Sequence, residues 1–229
     1  MRRLERDQKT LLLLLGAPGA GKGTQGRRLA AAVGALHLSV GDLFRAEITA
    51  GSPLGATAKR AIDKGELVAD ELTIAMIGER LARPDVPRRV ILDGFPRTGA
   101  QATALDAVAD EHGWQLAPLL LAVSPAVLTR RLTGRSSCPI CGAIYHFELH
   151  PSEQAGICDS DGATLTVRPD DQPRVVAMRL ANQLGALDAV SAYYSGSRLL
   201  ASVDGEGSID EVGARMVRAG SRLFGLIRD

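Results

Sequence analysis

The chain has 229 residues, which is enough for one large domain, or for a core with insertions, around a substantial hydrophobic interior. Its 27 lysine and arginine residues nearly balance its 26 aspartate and glutamate residues, so the formal net charge is only +1. This balance gives no electrostatic reason to expect a nucleic acid or a membrane surface as a partner, and any phosphate binding must come from locally placed arginines.

The first ten residues form a charged N-terminal extension (1–10), which is followed by an apolar run from Leu11 to Leu15. This run is too short for the apolar region of a signal peptide or for a membrane span of about 20 apolar residues, so we expect a cytoplasmic protein. Because the run is continuous and ends at Gly16, it predicts a strand that is buried on both faces.

Helices and strands alternate along most of the sequence. The pattern predicts a helix from about Lys22 to Val33 and a second helix start at Ser124 and Pro125, an N-cap serine followed by proline. Short apolar runs predict further strands at 36–38, 90–92, 119–123 and 199–203. Strands that alternate with helices indicate an α/β fold, in which a parallel sheet has helices on both faces.

Two stretches interrupt this alternation. Residues from about Ser39 to Leu81 form an all-helical insert, and Asp70 is a plausible N-cap of its last helix. Residues from Gly134 to Asp171 include cysteine, glycine and proline without a helical period, which predicts a small separate lobe.

A glycine-rich segment from Gly16 to Thr24 follows the first strand and opens the first helix, which is the context of a phosphate-binding loop. Its glycines let backbone N–H groups turn toward a phosphate, and Lys22 can reach the β and γ phosphates of a nucleotide. The general pattern has Ser or Thr directly after the lysine, whereas Gly23 intervenes here. A glycine-rich turn that binds nothing is the alternative.

The sequence Gly-Ala-Pro-Gly-Ala-Gly-Lys-Gly-Thr-Gln, from Gly16 to Gln25, resembles the phosphate loop of the adenylate kinase family, and the resemblance extends from about Leu11 to Phe224. It implies a P-loop NTPase-type parallel sheet with reversible phosphoryl transfer from Mg-ATP to AMP, giving two ADP, and we expect a monomer. It divides the chain into a core (11–38, 82–133 and 172–229), a helical NMP-binding insert (39–68) and a lid (134–171). The residues it implies for ATP binding are Gly19, Ala20, Gly21, Lys22, Gly23, Thr24, Arg131, Arg135, Tyr145 and His146.

Two further motifs, Asp42-Leu43-Phe44-Arg45 and Asp93-Gly94-Phe95-Pro96-Arg97-Thr98, resemble the monophosphate site of the family. Arg45 and Arg97 can make planar, bidentate contacts with a phosphate. Gln101 carries both the donor and the acceptor that the Watson–Crick edge of adenine requires. The residues implied for AMP binding are Val40, Arg45, Glu66, Leu67, Val68, Gly94, Arg97, Gln101, Arg168 and Arg179.

Val40 stands where the family often has threonine near the acceptor base. Because valine cannot donate or accept a hydrogen bond there, discrimination against CMP or UMP would rest more heavily on Gln101. A UMP/CMP kinase and a GTP:AMP phosphotransferase are therefore open alternatives. A more distant alternative is a P-loop nucleotide switch whose cysteine knuckles form a zinc-bearing binding module.

Charged residues at the sheet edge and around the lid complete the predicted catalytic site. Asp93 ends an apolar strand, where ligands of such sheets bind, and we assign it to Mg²⁺ through bound water. Arg131 and Arg135 are four residues apart on a predicted helix and share one face. Asp170 and Asp171 either pair with lid arginines or form a solvated pair of carboxylates. The predicted catalytic residues are Lys22, Arg97, Arg131, Arg168 and Arg179.

All three cysteines lie in the predicted lid, which points to a metal rather than to disulfides. Cys138-x-x-Cys141-Gly and Cys158-x-x-Asp161-Gly have the same form, with two ligands facing one ion before a glycine turn. The four side chains predict a closed, structural Zn²⁺ site. His146 competes as a ligand, although the resemblance places it near the adenine.

Overall fold

The computed structural model describes residues 8–63, 68–168, 171–196 and 200–227. In chain order its elements are β1 (Lys9–Leu15), α1 (Lys22–Val33), β2 (Leu36–Ser39), α2 (Val40–Thr49), α3 (Pro53–Asp63), α4 (Asp70–Leu81), β3 (Arg89–Asp93), α5 (Gly99–Glu111), β4 (Trp114–Ala122), α6 (Pro125–Thr133), β5 (Arg135–Ser137), β6 (Ile144–His146), α7 (Pro173–Gly196), β7 (Ala201–Asp204) and α8 (Ile209–Leu223).

Five of these strands form a parallel sheet in the order β2-β3-β1-β4-β7. The central strand β1 is buried on both faces because its leucines alternate between two hydrophobic clusters. Leu11, Leu13 and Leu15 pack on one side of the sheet, whereas Leu12 and Leu14 pack on the other. The predicted α/β fold with a parallel sheet and a doubly buried first strand is confirmed.

The predicted element bounds agree closely in the first half of the sheet and less well in the second. Helix α1 has the predicted ends. Strand β4 begins five residues before the predicted Leu119, since its first half includes Gln115 and Pro118, which interrupt the apolar run. The last strand begins at Ala201, and Leu199 lies outside the described residues.

The helical insert consists of α2, α3 and α4, and the prediction for its last helix was wrong in one detail. Ala69, not Asp70, is the N-cap of α4, and Asp70 is already the first helical residue. The Asp70 carboxylate instead accepts a hydrogen bond from the side chain of Gln101 on α5. A sequence pattern for helix caps cannot distinguish an aspartate that caps its own helix from one with a distant partner.

The segment between α6 and α7 contains a small two-stranded antiparallel sheet, β5-β6, and an isolated bridge between Ser137 and Thr166. Helix α7, which leads back to the core, is tied to α5 by the hydroxyl groups of Tyr193 and Tyr194, which donate to the two carboxylate oxygens of Asp106 at 2.7 and 3.3 Å. Among the described residues, no helix is both long enough and apolar enough to cross a membrane.

Candidate functional site

The carboxyl ends of the parallel strands meet at one edge of the sheet, where ligands bind in folds of this kind. The phosphate loop joins β1 to α1 at this edge, Asp93 is the last residue of β3, and Gly205 directly follows β7. Residues at the ends of strands that are distant in sequence therefore lie close together at this edge of the sheet.

Lys22 is held by the phosphate loop itself. Its Nζ atom donates hydrogen bonds to the carbonyl oxygens of Gly16 and Ala17, at 2.8 and 3.0 Å. Gly19 is required in this loop because its φ is +81° and because a Cβ atom would lie 2.8 Å from Leu132 Cγ on α6. Helix α6 therefore packs directly against the loop.

Four charged side chains surround Lys22. The side chain is partly exposed, but its Nζ atom lies among loop carbonyls, and this removal from water lowers the pKa of Lys22 from 10.5 to about 8. The negative charge of Asp93 opposes the shift, whereas Arg97, Arg135 and Arg179 add to it. The structure thus brings the predicted lysine together with the predicted aspartate and three predicted arginines.

Asp93 is buried at the end of β3, with 8% of its surface exposed. Its Oδ2 atom lies 3.4 Å from His37 Nε2, and it would lie 3.8 Å from a Cβ atom on Gly23 in the first turn of α1. The missing side chain at position 23 leaves space between the carboxylate and the phosphate loop. The Asp93 carboxylate therefore lies beside the first turn of α1, next to the phosphate loop.

Arg131 and Arg135 do not share a helix face, so that prediction was wrong. Helix α6 ends at Thr133, and Arg135 begins strand β5. Arg131 reaches the core, donating to the carbonyl oxygens of Ala20 and Gly205 at 3.3 and 3.0 Å. The two side chains therefore diverge because the backbone leaves the helical path between them.

Asp171 pairs with two further arginines, Arg135 and Arg179. Arg135 donates two hydrogen bonds to its carboxylate, from Nε at 2.7 Å and from Nη2 at 2.6 Å. Arg179 Nη1 lies 3.5 Å from the same carboxylate, whose side chain is fully buried. The expected pairing of Asp171 is confirmed, whereas Asp170 lies outside the described residues. Arg168, on the same side of the lobe, donates from Nε to Ser137 Oγ at 3.3 Å.

The acceptor-side residues fall into two groups. Arg97 lies in the Lys22 cluster and donates from Nε to the carbonyl oxygen of Gly94 at 2.8 Å. Arg45 is exposed on α2 and pairs with Asp42 one turn earlier. Two core positions also belong to the predicted set, Val40 at 3% exposure and Val68 at 8%. Glu66 and Leu67 lie outside the described residues.

The amide of Gln101 is already engaged on both sides. Its Oε1 atom accepts a hydrogen bond from the backbone N–H of Arg97 at 2.6 Å, and its Nε2 atom donates to Asp70 Oδ1 at 2.6 Å. The side chain is 3% exposed. Each amide atom keeps one further hydrogen-bonding position, because the nitrogen has a second hydrogen and the oxygen has a second lone pair.

The cysteine segment forms two turns with the same backbone pattern. In the first, Cys138 N–H donates to Ala143 O at 2.9 Å and Gly142 N–H donates to Cys138 O at 3.1 Å. In the second, Cys158 N–H donates to Ala163 O at 2.8 Å and Gly162 N–H donates to Cys158 O at 2.9 Å. The two glycines have φ values of +72° and +73°.

The side chains of these turns converge on one point. Cys138 Sγ lies 3.1 Å from the nearer carboxylate oxygen of Asp161, and Cys141 Sγ lies 3.5 Å from Cys158 Sγ. All four ligand atoms lie within 4.8 Å of one another. A tetrahedral ion with metal–sulfur bonds of about 2.3 Å separates its sulfur ligands by about 3.8 Å, so the group fits one metal ion.

Comparison with known proteins agrees with this geometry. The family model described as "Adenylate kinase" matches residues 14–198. The chain is 45% identical to the adenylate kinase of Bacillus subtilis (strain 168) over 202 residues, which cover 88% of this chain and 93% of the relative. It is 43% identical to the adenylate kinase of Salinispora tropica over 209 residues, covering 91% and 96% of the two chains.

The chain belongs to the adenylate kinase family. Members of this family are phosphotransferases, and so is this protein. The phosphate loop and the arginines around Lys22 are the parts of this adenylate kinase that can neutralise a transferring phosphate.

Tyr145 has a structural partner inside the lobe of this adenylate kinase, and His146 has partners both inside the lobe and on helix α6. The Tyr145 hydroxyl accepts from Asp159 N–H at 2.9 Å. His146 Nδ1 accepts from the N–H groups of Glu148 and Leu149, both at 3.1 Å, so Nε2 carries the hydrogen and donates to the Arg130 carbonyl at 3.1 Å. Both side chains are buried, and their contact with an adenine stays a prediction.

Glu206 was missed by sequence reasoning. Its Oε1 atom accepts from the backbone N–H of Ser124 at 2.9 Å, and Ser124 is the N-cap residue of helix α6, whose own side chain makes no capping hydrogen bond. The signal was present, because Asp204-Gly205-Glu206-Gly207 follows the last strand at the ligand-binding edge. Arg131 and Glu206 together attach α6 to the β7–α8 loop.

Two ion pairs at the lid predict different stability effects. We expect Asp171→Asn to lower the free energy of unfolding by about 2 kcal/mol or more, because it leaves largely buried guanidinium groups without their carboxylate. Glu148→Gln removes the exposed partner of Arg130 and serves as the control, with an expected loss of at most about 1 kcal/mol. Urea denaturation measures both, and equal losses would contradict the structural distinction.

Proposed function

We propose that this adenylate kinase transfers a phosphoryl group reversibly between Mg-ATP and AMP, producing two ADP. One observation carries the proposal. The charge of Arg97 in the acceptor motif acts on Lys22 in the phosphate loop, which supports a donor site and an acceptor site that meet at one point. A protein that only holds a nucleotide needs Lys22 and has no use for Arg97.

On the donor side, the phosphate loop would hold the β and γ phosphates with its N–H groups and with Lys22. The Nζ atom already lies against loop carbonyls and needs only a small displacement to exchange them for phosphate oxygens. Arg131 lies beside the loop at Ala20 and extends the positive surface toward the β7–α8 loop.

On the acceptor side, Arg97 and Arg45 would bind the phosphate of AMP and Gln101 would bind its base. Arg97 lies in the charged cluster, whereas Arg45 is exposed on α2 and paired with Asp42. The guanidinium group of Arg45 must leave this aspartate for a phosphate, which offers stronger bidentate contacts.

Phosphoryl transfer between these sites requires alignment and charge neutralisation more than covalent catalysis. The attacking oxygen belongs to a phosphate that is ionised at neutral pH, so no general base is needed. A magnesium ion held by Asp93 through water would supply further positive charge to the donor phosphates. Lys22, Arg97, Arg131, Arg168 and Arg179 are the residues that we propose stabilise the transferring group.

Asp171 connects these arginines to lid movement. In the structure it neutralises Arg135 and Arg179, both of which lie in the Lys22 cluster. A triphosphate brings more negative charge to the same guanidinium groups and would compete with Asp171 for them. We propose that this exchange closes the lobe over the donor nucleotide and excludes water, which would otherwise hydrolyse it.

The decisive test measures ADP formation from ATP and AMP. We expect Arg97→Ala to lower kcat/KM by about a hundredfold to a thousandfold, because it removes a donor that stabilises transition-state charge. Arg97→Lys keeps the charge but loses the bidentate geometry, so it should recover only part of the activity. CMP, UMP and GMP as acceptors and GTP as donor, each at matched concentration, test the alternatives raised by Val40.

ATP hydrolysis without phosphorylation of any monophosphate would sink the proposal, as would near-normal turnover in Arg97→Ala. A bisubstrate dinucleotide with two adenosines should inhibit the wild-type protein competitively against both substrates.

ATP binding should weaken as the pH rises through about 8. The free protein has a depressed Lys22 pKa of about 8, and phosphate contact raises it, so binding above that pH takes up a proton. The association constant should fall by up to about tenfold per pH unit above about pH 8. Titration calorimetry measures it, and Lys22→Arg, which stays charged, should remove this dependence. The same slope in that variant would exclude Lys22 as its source.

We propose that Cys138, Cys141, Cys158 and Asp161 hold a structural Zn²⁺. Three thiolates and one carboxylate with no open position suit zinc in a structural role. We expect one zinc ion per chain, and we expect chelation to lower Tm by about 5 °C or more while lowering the rate at room temperature less.

Asp161→Asn and Asp159→Asn form a matched pair for this proposal. Both remove a carboxylate from the same turn, but only Asp161 lies among the cysteines, whereas Asp159 accepts from Glu153 N–H. Zinc content and Tm should fall in the first variant and remain in the second. Full zinc content in Asp161→Asn would remove that residue from the ligand set.

A further inference from the structure

The carboxylate of Asp70 lies in the first turn of a helix but binds a side chain from a distant part of the sequence. Aspartate in the first turn of a helix is favoured because it stabilises the helix N-terminus, and α4 starts at Asp70 without a side-chain cap from Ala69. The Asp70 carboxylate nevertheless accepts from Gln101 Nε2, 31 residues further along the chain, at 2.6 Å. This bond joins the helical insert to helix α5 of the core.

The partners of Gln101 leave its amide only one orientation. A carboxylate only accepts hydrogen bonds, so the NH₂ group must face Asp70. A backbone N–H only donates, so the oxygen must face Arg97. A flipped amide would set its oxygen against the Asp70 carboxylate and its NH₂ group against the Arg97 N–H. The buried position of Gln101 leaves little room for another rotamer.

We propose that Asp70 determines the base specificity of the acceptor site by fixing the orientation of the Gln101 amide. This inference rests on the proposed binding of the acceptor base by Gln101. In the fixed orientation, the remaining lone pair of Oε1 faces an exocyclic amino group and the remaining hydrogen of Nε2 faces a ring nitrogen acceptor. Adenine and cytosine present this pair, whereas hypoxanthine, guanine and uracil present a carbonyl oxygen and a ring N–H, so the fixed amide discriminates between these two groups of bases.

The same contacts couple the base to the phosphate. Arg97 orients Gln101 through its backbone N–H, and its side chain lies in the charged cluster around Lys22. A base with a carbonyl oxygen and a ring N–H in place of the amino group and the ring nitrogen can therefore bind in two ways, both of which are unfavourable. It can leave polar groups of the site unpaired, or it can force a flip that disturbs the backbone of a phosphate-binding residue.

Inosine monophosphate is the appropriate probe, because its base differs from adenine only in these two hydrogen-bonding groups. The measured quantity is kcat/KM for AMP divided by kcat/KM for inosine monophosphate, with ATP as donor. Asp70→Asn is nearly isosteric, but its amide can present either an oxygen or an NH₂ group to Gln101. We expect this ratio to fall by about tenfold or more, since one charge-assisted contact that opposes the flip is lost.

Glu71→Gln is the matched control, because it neutralises the adjacent, exposed carboxylate of the same helix turn and should leave the ratio unchanged. A purely structural role of Asp70 would lower both rates together. An unchanged ratio in an active Asp70→Asn protein therefore overturns the inference.

Asp70→Ser, which retains a residue favoured at helix starts, provides a second variant should the first fail to fold, and the same fall in the ratio is expected. Wild-type protein that phosphorylates no monophosphate would instead contradict the proposed function. Wild-type protein that accepts AMP and inosine monophosphate equally would contradict the inference alone.

Discussion

The mutual repulsion of the positive charges around Lys22 is the constraint on which the rest of the site depends. Burial is the largest influence that disfavours the charged form of this lysine, and Arg97, Arg135 and Arg179 each act in the same direction. The chain as a whole carries a net charge of only +1, so this charge density is local and not a property of the entire surface. Asp93 and Asp171 offset part of it, and a polyphosphate is the ligand whose charge would offset the remainder.

Asp93 and Asp171 offset this positive charge from different parts of the structure. Asp93 belongs to a core strand and lies beside the first turn of α1, within the sheet itself. Asp171 lies where the lobe joins α7, and its partners come from both sides of that junction, Arg135 from β5 and Arg179 from α7. A phosphate that takes over these arginines therefore changes the forces at a boundary between two structural units. In the proposed mechanism, the same charges would link substrate binding to the position of the lobe.

The sequence patterns correctly predicted those features that depend on interactions between residues close together in the chain. The alternating burial of β1, the ends of α1 and the two turns that bring the cysteines together with Asp161 depend on periodicity, capping and spacing within a few residues. The failures concern partners that are distant in sequence or bends of the backbone. Asp70 contacts Gln101 instead of capping its helix, and Arg135 leaves the helical path of Arg131. A sequence pattern within one segment does not show which distant segment will pack beside it, so such contacts are seen only in the folded structure.

The small buried cluster of the lobe explains why a bound metal ion would stabilise it. Its only described buried cluster contains Cys138, Tyr145 and Cys158, too few side chains to stabilise a separate unit by hydrophobic burial. A metal bridge between the two turns would replace the missing core. It would also fix the residues beside it, since Ser137 pairs with Thr166 and accepts from Arg168 Nε. Arg135 and Arg168 enter and leave the lobe on these paired segments, so a metal ion bound there would also constrain the separation of the two segments that carry these arginines.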